Sequence, residues 1–332
     1  MNSLPWDEAV ALVQGAQEAV VVGHLNPDAD ALGSALGLAA AMRLAGVQAC
    51  ATFDGDPFQV PQSLAWLPNV DLLRSPERCP SQPDLVISVD CAAEDRLGRL
   101  LPMARAAAAF LVIDHHRSNP GFGDVRLIDF AVPAAGVLVA ELLNRAELPW
   151  DPAIATDLYA AIASDTGGFR FAGTTSDTHR LAASLLDKGV DPEAVGRALF
   201  ASRPLPVARL AARTVAEAVL VPTAADGNGA MIALISQLDR AEYGVPYDDV
   251  ESIITDLAAI TAADVAVIAK QDDHGLWRVS MRSRGGTDVG ALSTGCGGGG
   301  HRLAGGFSAT AASSETVLAE LLALLGANSA AS

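Results

Sequence analysis

Leu111-Val112-Ile113-Asp114-His115-His116 is an apolar run that passes without a break into one carboxylate and two imidazoles. The residues from Ala106 to Ile113 read as the end of a helix followed by a core strand, which puts the polar triplet at the strand's C-terminal lip. In open α/β sheets, ligands bind at that lip. Successive side chains of an extended backbone alternate faces, so one histidine can bind a metal while the other faces a substrate. Taken alone, the pair reads as surface histidines capping a turn. The surrounding chain argues against that.

Upstream, Ala19-Val20-Val21-Val22 reads as a strand, followed by His24-Leu25-Asn26-Pro27-Asp28-Ala29-Asp30 and an Ala/Leu/Gly-rich helix from about Ala31 to Ala45, stopped by Gly46. A first amphipathic helix over 6–17 precedes it. Residues 47–53 and 85–89 read as further strands, the latter running into Asp90. Downstream, a short strand near 125–128 leads into helices around 134–147, 152–164 and 176–188, with Asp165-Thr166-Gly167-Gly168 interrupting the helical pattern. Alternating strands and helices predict parallel βαβ units. The expected fold is α/β. A first domain over 1–195 has a mainly parallel sheet flanked by helices, 196–213 with Pro204 and Pro206 form a linker, and a smaller domain with a mixed sheet spans 214–332. An active-site cleft is expected between the two domains. In the second, strands are predicted near 214–221, 230–235, 264–270 and 276–282, with helices near 248–260 and 315–325.

Composition narrows the function classes. The chain has 332 residues, enough for two domains. No uncharged apolar stretch approaches the ~20 residues of a spanning helix. Asp7 and Glu8 with no basic segment give no secretory signal, so a cytoplasmic protein that makes no membrane contact is expected. Cys50, Cys79, Cys91 and Cys296 lack C-x-x-C spacing and read as reduced thiols. A net charge of −17 excludes tracking along a long nucleic acid, which rests on many Lys/Arg–phosphate contacts. A phosphate substrate must then be short, held by a few arginines and by metal.

Asp28, Asp30, Asp90, Asp114 and Asp165, with His24, His115 and His116, all fall at element ends that a parallel sheet gathers on one edge. An Asp-rich set with imidazoles and no thiolate suits a hard or borderline divalent ion, Mn²⁺ first and Mg²⁺ next. There are donors enough for two ions about 3.5–4 Å apart sharing a carboxylate. Such a pair activates water and neutralises charge at phosphorus, and no serine or cysteine nucleophile is required.

The blocks His24-Leu25-Asn26-Pro27-Asp28-Ala29-Asp30, Ser88-Val89-Asp90-Cys91, Asp114-His115-His116 and Ser164-Asp165-Thr166-Gly167 resemble the four motifs of the DHH phosphoesterase superfamily. Gly297-Gly298-Gly299-Gly300-His301-Arg302-Leu303-Ala304-Gly305-Gly306 resembles the glycine-rich block of its DHH-associated C-terminal domain. The blocks stand in the family's order over about 18–310, and the layout is most similar to the branch of bifunctional oligoribonucleases and pAp phosphatases (nanoRNase type A). The resemblance implies an Mn²⁺-dependent exonuclease of RNA degradation, which cuts short oligoribonucleotides (nanoRNA) to mononucleotides and dephosphorylates pAp to AMP. pApA and cyclic di-AMP would be further substrates, and the resemblance allows a homodimer. It further implies that His24, Asp28 and Asp90 hold one ion and Asp30, Asp90, His115 and Asp165 the other, with Asp90 bridging. Asp114 would orient an imidazole, and His116 would face the scissile phosphate. The departures, Ala29 for glycine and Ser164 for threonine, remove no ligand.

In the C-terminal block, Gly298, Gly299 and Gly300 let amides approach an anion, and His301 can donate to phosphate. A plain flexible loop is the other reading, and the formal GxGxxG at 295–300 lacks Rossmann context. Strand alternation over Val279-Ser280-Met281-Arg282-Ser283-Arg284 predicts Arg282 and Arg284 on one face as a fork for a terminal phosphate. His179 reads as a surface or capping residue, His274 and Asp54-Gly55-Asp56-Pro57 as turns. Phe169-Arg170-Phe171 reads as either a base-stacking element or core aromatics with a structural arginine. The rival functions are a manganese-dependent inorganic pyrophosphatase and a non-catalytic nucleotide sensor. The first relies on second-domain lysines, whereas Lys188 and Lys270 are the only lysines here. The second would be expected to have lost ligands.

Overall fold

A computed structural model describes residues 4–326, which divide into one unit ending at Ser202 and a second beginning at Arg203. The first unit runs α1 (Trp6–Gly15), β1 (Glu18–Val22), α2 (Ala29–Leu44), β2 (Gln48–Thr52), β3 (Leu85–Val89), α3 (Leu101–Ala106), β4 (Ala109–Asp114), β5 (Val125–Ile128), α4 (Ala135–Arg145), α5 (Pro152–Asp165), α6 (Ser176–Asp187) and α7 (Pro192–Gly196). Its sheet has the order β2-β1-β3-β4-β5, parallel throughout. β1, β3 and β4 are buried almost end to end, as their unbroken apolar runs demand. Val20, Val22, Val86 and Val112 pack to one side with Leu97, Leu100 and Phe110. Val21, Ile87, Leu111 and Ile113 pack to the other with α2, α4 and α5.

The order places β1 beside both β2 and β3, so the strand succession reverses between β1 and β3. That switch point opens a crevice at the strands' C-terminal ends, where β1 leads to His24 and β3 to Asp90. α2 lies behind the crevice and is buried from Ala29 to Met42. Its small residues let α5 approach closely: a Cβ at Gly33 would lie 2.4 Å from the Asp157 carbonyl oxygen, and one at Gly37 3.0 Å from the Leu158 side chain.

The second unit contains α8 (Leu205–Ala216), β6 (Val219–Val221), β7 (Ala230–Ile235), α9 (Gln237–Tyr243), α10 (Ile253–Ala258), β8 (Val265–Gln271), β9 (Trp277–Ser283), α11 (Val289–Gly295), β10 (Gly299–His301), β11 (Ala304–Ala309) and α12 (Ser314–Leu324). Its sheet, β10-β11-β9-β8-β7-β6, is antiparallel except at β7/β8. Residues 196–213, read as a linker, are largely helical. Arg197–Ala201 form a π-helical turn and α8 packs Val207, Leu210 and Ala211 into the second unit's core. The strand expected over 214–221 is confined to Val219–Val221, because α8 continues to Ala216. α9, α11, β10 and β11 were not foreseen.

Asp157 is a carboxylate sealed inside the first unit. Its Oδ2 accepts a 2.7 Å hydrogen bond from Asn69 Nδ2, while its buried Oδ1 accepts none among the described residues. Burial, which Asn69 only partly offsets, pushes its pKa up to about 8. The unfolded chain ionises Asp157 near pH 4, so between roughly pH 4 and 8 the unfolded state holds fewer protons and stability falls as pH rises. Asp157→Asn cannot ionise and is expected to gain stability relative to the native chain as pH goes from 5 to 8. Chemical denaturation midpoints at both pH values check this; an unchanging difference would contradict a neutral buried Asp157.

Candidate metal centre

Each site residue is placed by the end of an element. His24 follows β1, and its Nδ1 lies 2.7 Å from the Leu25 carbonyl. Arg96 NH2 lies 2.9 Å from the same Nδ1, and the Nε2 faces inward, 3.8 Å from Asp28 Oδ2 and 3.7 Å from Asp90 Oδ2. Arg96 donates to the same carbonyl at 3.2 Å. Asp28 is the N-cap of α2, its Oδ1 accepting from the Ala31 amide at 3.0 Å. Asp30 sits one residue inside the helix, and the non-helical cap lets both carboxylates face the crevice although a helix would turn positions i and i+2 apart. Asp30 is fully buried and its oxygens accept from Ala135 N at 2.6 Å, Gly136 N at 2.9 Å and Ser34 Oγ at 3.0 Å. The first two amides are the N-terminus of α4, whose positive end favours the anion.

Asp90 leaves β3 in the left-handed region, φ 55°, which aspartate tolerates better than most residues. It is 2 % exposed, and its two oxygens serve different neighbours. Oδ2 faces His24, while Oδ1 lies 3.3 Å from His115 Nε2 and 3.6 Å from His116 Nδ1. Oδ1 is buried and accepts no hydrogen bond among the described residues. His115 Nε2 is also 3.4 Å from Asp165 Oδ2 and 3.8 Å from Asp30 Oδ2. Ligand atoms of His24, Asp28 and Asp90 form one compact group, and those of Asp30, His115 and Asp165 another, each within 4.8 Å. Asp90 touches both.

Past the end of β4 the histidine rings diverge, their planes 59° apart. His115 turns to the carboxylates, whereas His116 Nδ1 is 2.8 Å from Asp114 Oδ1. The imidazole that Asp114 orients is therefore His116. Asp114 is held in turn by Asn119 Nδ2, 2.6 Å from Oδ2, which also reaches the Cys91 carbonyl at 3.1 Å. Burial pushes the Asp114 carboxyl upward, but His116 and Asn119 outweigh it and hold it below the usual range. Asn119, Arg96 and the Ala135 and Gly136 amides escaped the sequence reading. In sequence Asn119 precedes Pro120 and reads as a turn residue, and Arg96 belongs to no motif.

Burial drives Asp90 and Asp165 well above the ordinary carboxylate range, with Asp30 and Asp28 adding repulsion in both cases. Asp30 is raised chiefly by burial. Such a set cannot ionise together without compensating positive charge. With the unpartnered Asp90 oxygen and an all-nitrogen-and-oxygen donor set, a divalent cation fits the residues present. Metal binding must then expel protons. Calorimetric Mn²⁺ titrations near pH 6.5 in buffers of different ionisation enthalpy are expected to show net proton release, with affinity rising with pH. Buffer-independent heats and a flat pH profile would contradict raised carboxylates.

In the second unit, Arg282 lies on β9 opposite Ala266 of β8 and Ala304 of β11, with one guanidinium nitrogen 2.9 Å from the Met281 carbonyl. β9 ends at Ser283, and Arg284 follows it with its amide bonded to the Asp264 carbonyl at 2.9 Å and NH1 3.4 Å from the Ala258 carbonyl. The glycine block is partly a packing device. A Cβ at Gly298 would meet the Gly306 carbonyl oxygen at 2.1 Å, and one at Gly300, φ 141°, would meet that of Ala304 at 2.3 Å. Gly299 has open space, and His301 ends β10. His179 stacks on Phe169, ring centres 5.4 Å apart. Phe171 is exposed. Asp54 is bound by Arg99 through N at 2.7 Å and Nε at 2.8 Å. His274 lies in the turn between β8 and β9, its amide bonded to Asp272.

A parallel sheet whose switch point gathers aspartates and histidines into adjoining donor groups defines a metal-dependent phosphoesterase. The chain belongs to the DHH family: the family's N-terminal domain matches residues 18–162, and the DHHA1 domain matches 228–327. It is 32% identical to the bifunctional oligoribonuclease and PAP phosphatase NrnA of Thermus thermophilus over 289 residues, 86% of this chain and 82% of the relative. It is 29% identical to a probable bifunctional oligoribonuclease and PAP phosphatase NrnA of Streptococcus mutans, over 95% of this chain and 97% of that one. The crystal structure of an exopolyphosphatase-related protein from Bacteroides fragilis shares the fold, with a TM-score of 0.85 at 21% identity over 96% of this chain and 95% of that one. Among the described residues no helix is long and apolar enough to cross a membrane.

Proposed function

We propose that this chain hydrolyses short oligoribonucleotides to mononucleotides and removes the 3′-phosphate of pAp to give AMP, with two Mn²⁺ ions as the preferred metal. The observation that carries the reading is the division of Asp90, one oxygen toward His24 and the other toward His115. The names of the curated relatives and the acidity of the chain support the substrate class.

On this reading His24, Asp28 and Asp90 hold one ion, and Asp30, Asp90, His115 and Asp165 the other. When bound, the ions supply Lewis acidity at phosphoryl oxygens and activation of a water nucleophile. His116 acts as general acid. Its Nδ1 is fixed by Asp114, so its Nε2 is the atom that presents a proton to the leaving oxygen, and Asp114 stabilises the charged imidazolium. Asn119 holds Asp114 in that geometry. In the second unit Arg282 and His301 receive the terminal phosphate, beside Gly299, where a Cβ would meet nothing within 4 Å. pApA and cyclic di-AMP belong to the same chemistry as secondary substrates.

The test is product release, with Mn²⁺ and with chelator, from 5′-phosphorylated RNAs of dinucleotide to decanucleotide length, pAp, cyclic di-AMP and pyrophosphate. Mononucleotide release is expected to be fastest from the shortest RNAs and absent with chelator. His116→Asn should lower kcat by about 10²–10⁴-fold. Arg282→Ala should raise KM by about tenfold or more, the loss of one charge-assisted hydrogen bond. Turnover of pyrophosphate alone would overturn the nucleotide reading, and tight nucleotide binding with no turnover would make the protein a sensor.

A further inference from the structure

Grouped apolar side chains on a surface mark binding sites, and two phenylalanines stand exposed on the turn that follows a residue of the metal centre. α5 ends at Asp165, and the chain then turns through Thr166, Gly167 and Gly168. Gly167 and Gly168 are left-handed, at φ 58° and 70°, and Phe169 follows at φ 64°, a conformation a bulky residue keeps only where its surroundings fix it. They do so here. The Phe169 amide donates to Thr166 Oγ1 at 3.0 Å, and the Thr166 carbonyl accepts from the Arg170 and Phe171 amides at 2.9 and 3.0 Å. The turn thereby folds Phe171 back onto the residue next to Asp165.

Phe169-Arg170-Phe171 divides between the two readings of its sequence. Phe169 turns inward, its ring centre 5.6 Å from that of Tyr159 and 5.4 Å from that of His179. Arg170 and Phe171 are exposed. The Phe171 ring lies against Gly167, where a Cβ would come within 2.4 Å of it, and the Phe200 ring lies beside Gly168, where a Cβ would be 3.4 Å away. Arg170 Nε donates to the Gly167 carbonyl, and its guanidinium carbon is 5.9 Å from the Phe200 ring centre. With Phe171 54% exposed and Phe200 48%, burial in a core does not account for either ring.

We infer that Phe171 and Phe200 are a stacking platform for one nucleobase, the base beyond the scissile phosphate, which an oligonucleotide has and pAp lacks. The inference rests on the nucleotide reading above and adds where the second base goes. Aromatic rings suit any base, because every base has a π-face, and a nuclease that degrades short RNA of all sequences needs that tolerance. At a net charge of −17 the chain is poorly equipped to hold RNA by its backbone, and stacking requires no charge. The place fits as well, since the platform stands on the turn leaving Asp165, where the scissile phosphate would meet the metal. Arg170, tied to the Gly167 carbonyl, backs the Phe200 ring through a cation–π contact. The rings hold one base, not a long strand.

The experiment compares kcat and KM of the native chain, Phe171→Ala and Phe171→Tyr on pApA and on pAp with Mn²⁺. In Phe171→Ala the ratio of kcat/KM on pApA to that on pAp is expected to fall by about tenfold or more, through KM. Phe171→Tyr keeps a ring and should restore most of the ratio. An unchanged ratio, or a fall carried by kcat alone, would overturn the platform. Failure of the nucleotide reading shows separately, as a native chain that turns over neither substrate. Stacking is then read from the fluorescence of a 5′-phosphorylated dinucleotide whose second base is 2-aminopurine. Quenching by the native chain that Phe171→Ala loses supports the platform, and no quenching up to millimolar dinucleotide overturns it.

Discussion

The structure of the site depends on one buried carboxylate that two sets of donors share. Asp90 is placed by the end of β3 in a left-handed conformation, its amide tied to the Ile113 carbonyl of the neighbouring strand at 2.9 Å. Its oxygens face opposite ways, to His24 and to His115. A carboxylate in that position is costly to bury: its pKa rises because water is excluded and because Asp30, Asp28 and Asp114 stand near it. Strain in the backbone and repulsion among the side chains are both offset by a cation, which is why this arrangement reads as a binding site and not as a folding element.

The rest of the first unit serves that position. Reversal of strand order between β1 and β3 opens the crevice, and α2 supplies Asp28 from its cap and Asp30 from its first turn. α2 can occupy the space behind the crevice only because glycines face α5. α4 is bound into the same device, since its first amides hold both oxygens of Asp30. Core packing and the donor groups therefore share elements: a side chain at Gly33 would meet the Asp157 carbonyl oxygen at 2.4 Å and force apart the helices that carry Asp30 and Asp165.

Much of this was legible in the sequence because strands buried on both faces announce themselves as apolar runs, and the chemistry sits at their ends. Leu111–Ile113 gave β4 and the place of Asp114, and Val20–Val22 did the same for His24. Features that depend on contacts remote in sequence stayed hidden. Asn119 looks like a turn residue until it is seen under Asp114, and Asp157 looks like an exposed helical acid until α2 and Asn69 enclose it. Which histidine Asp114 orients was likewise a tertiary fact. Pro204 and Pro206, in the stretch read as a linker, stand at the start of α8, a position proline favours. Alternation over 279–284 assumed a strand one residue longer than β9 proves to be.

The most direct test of the central claim is electron paramagnetic resonance of the full chain titrated with Mn²⁺. If Asp90 bridges, two ions bind per chain and their spectrum shows exchange coupling, which Asp90→Asn abolishes. Two uncoupled ions, or a single ion at saturation in the native chain, would contradict it.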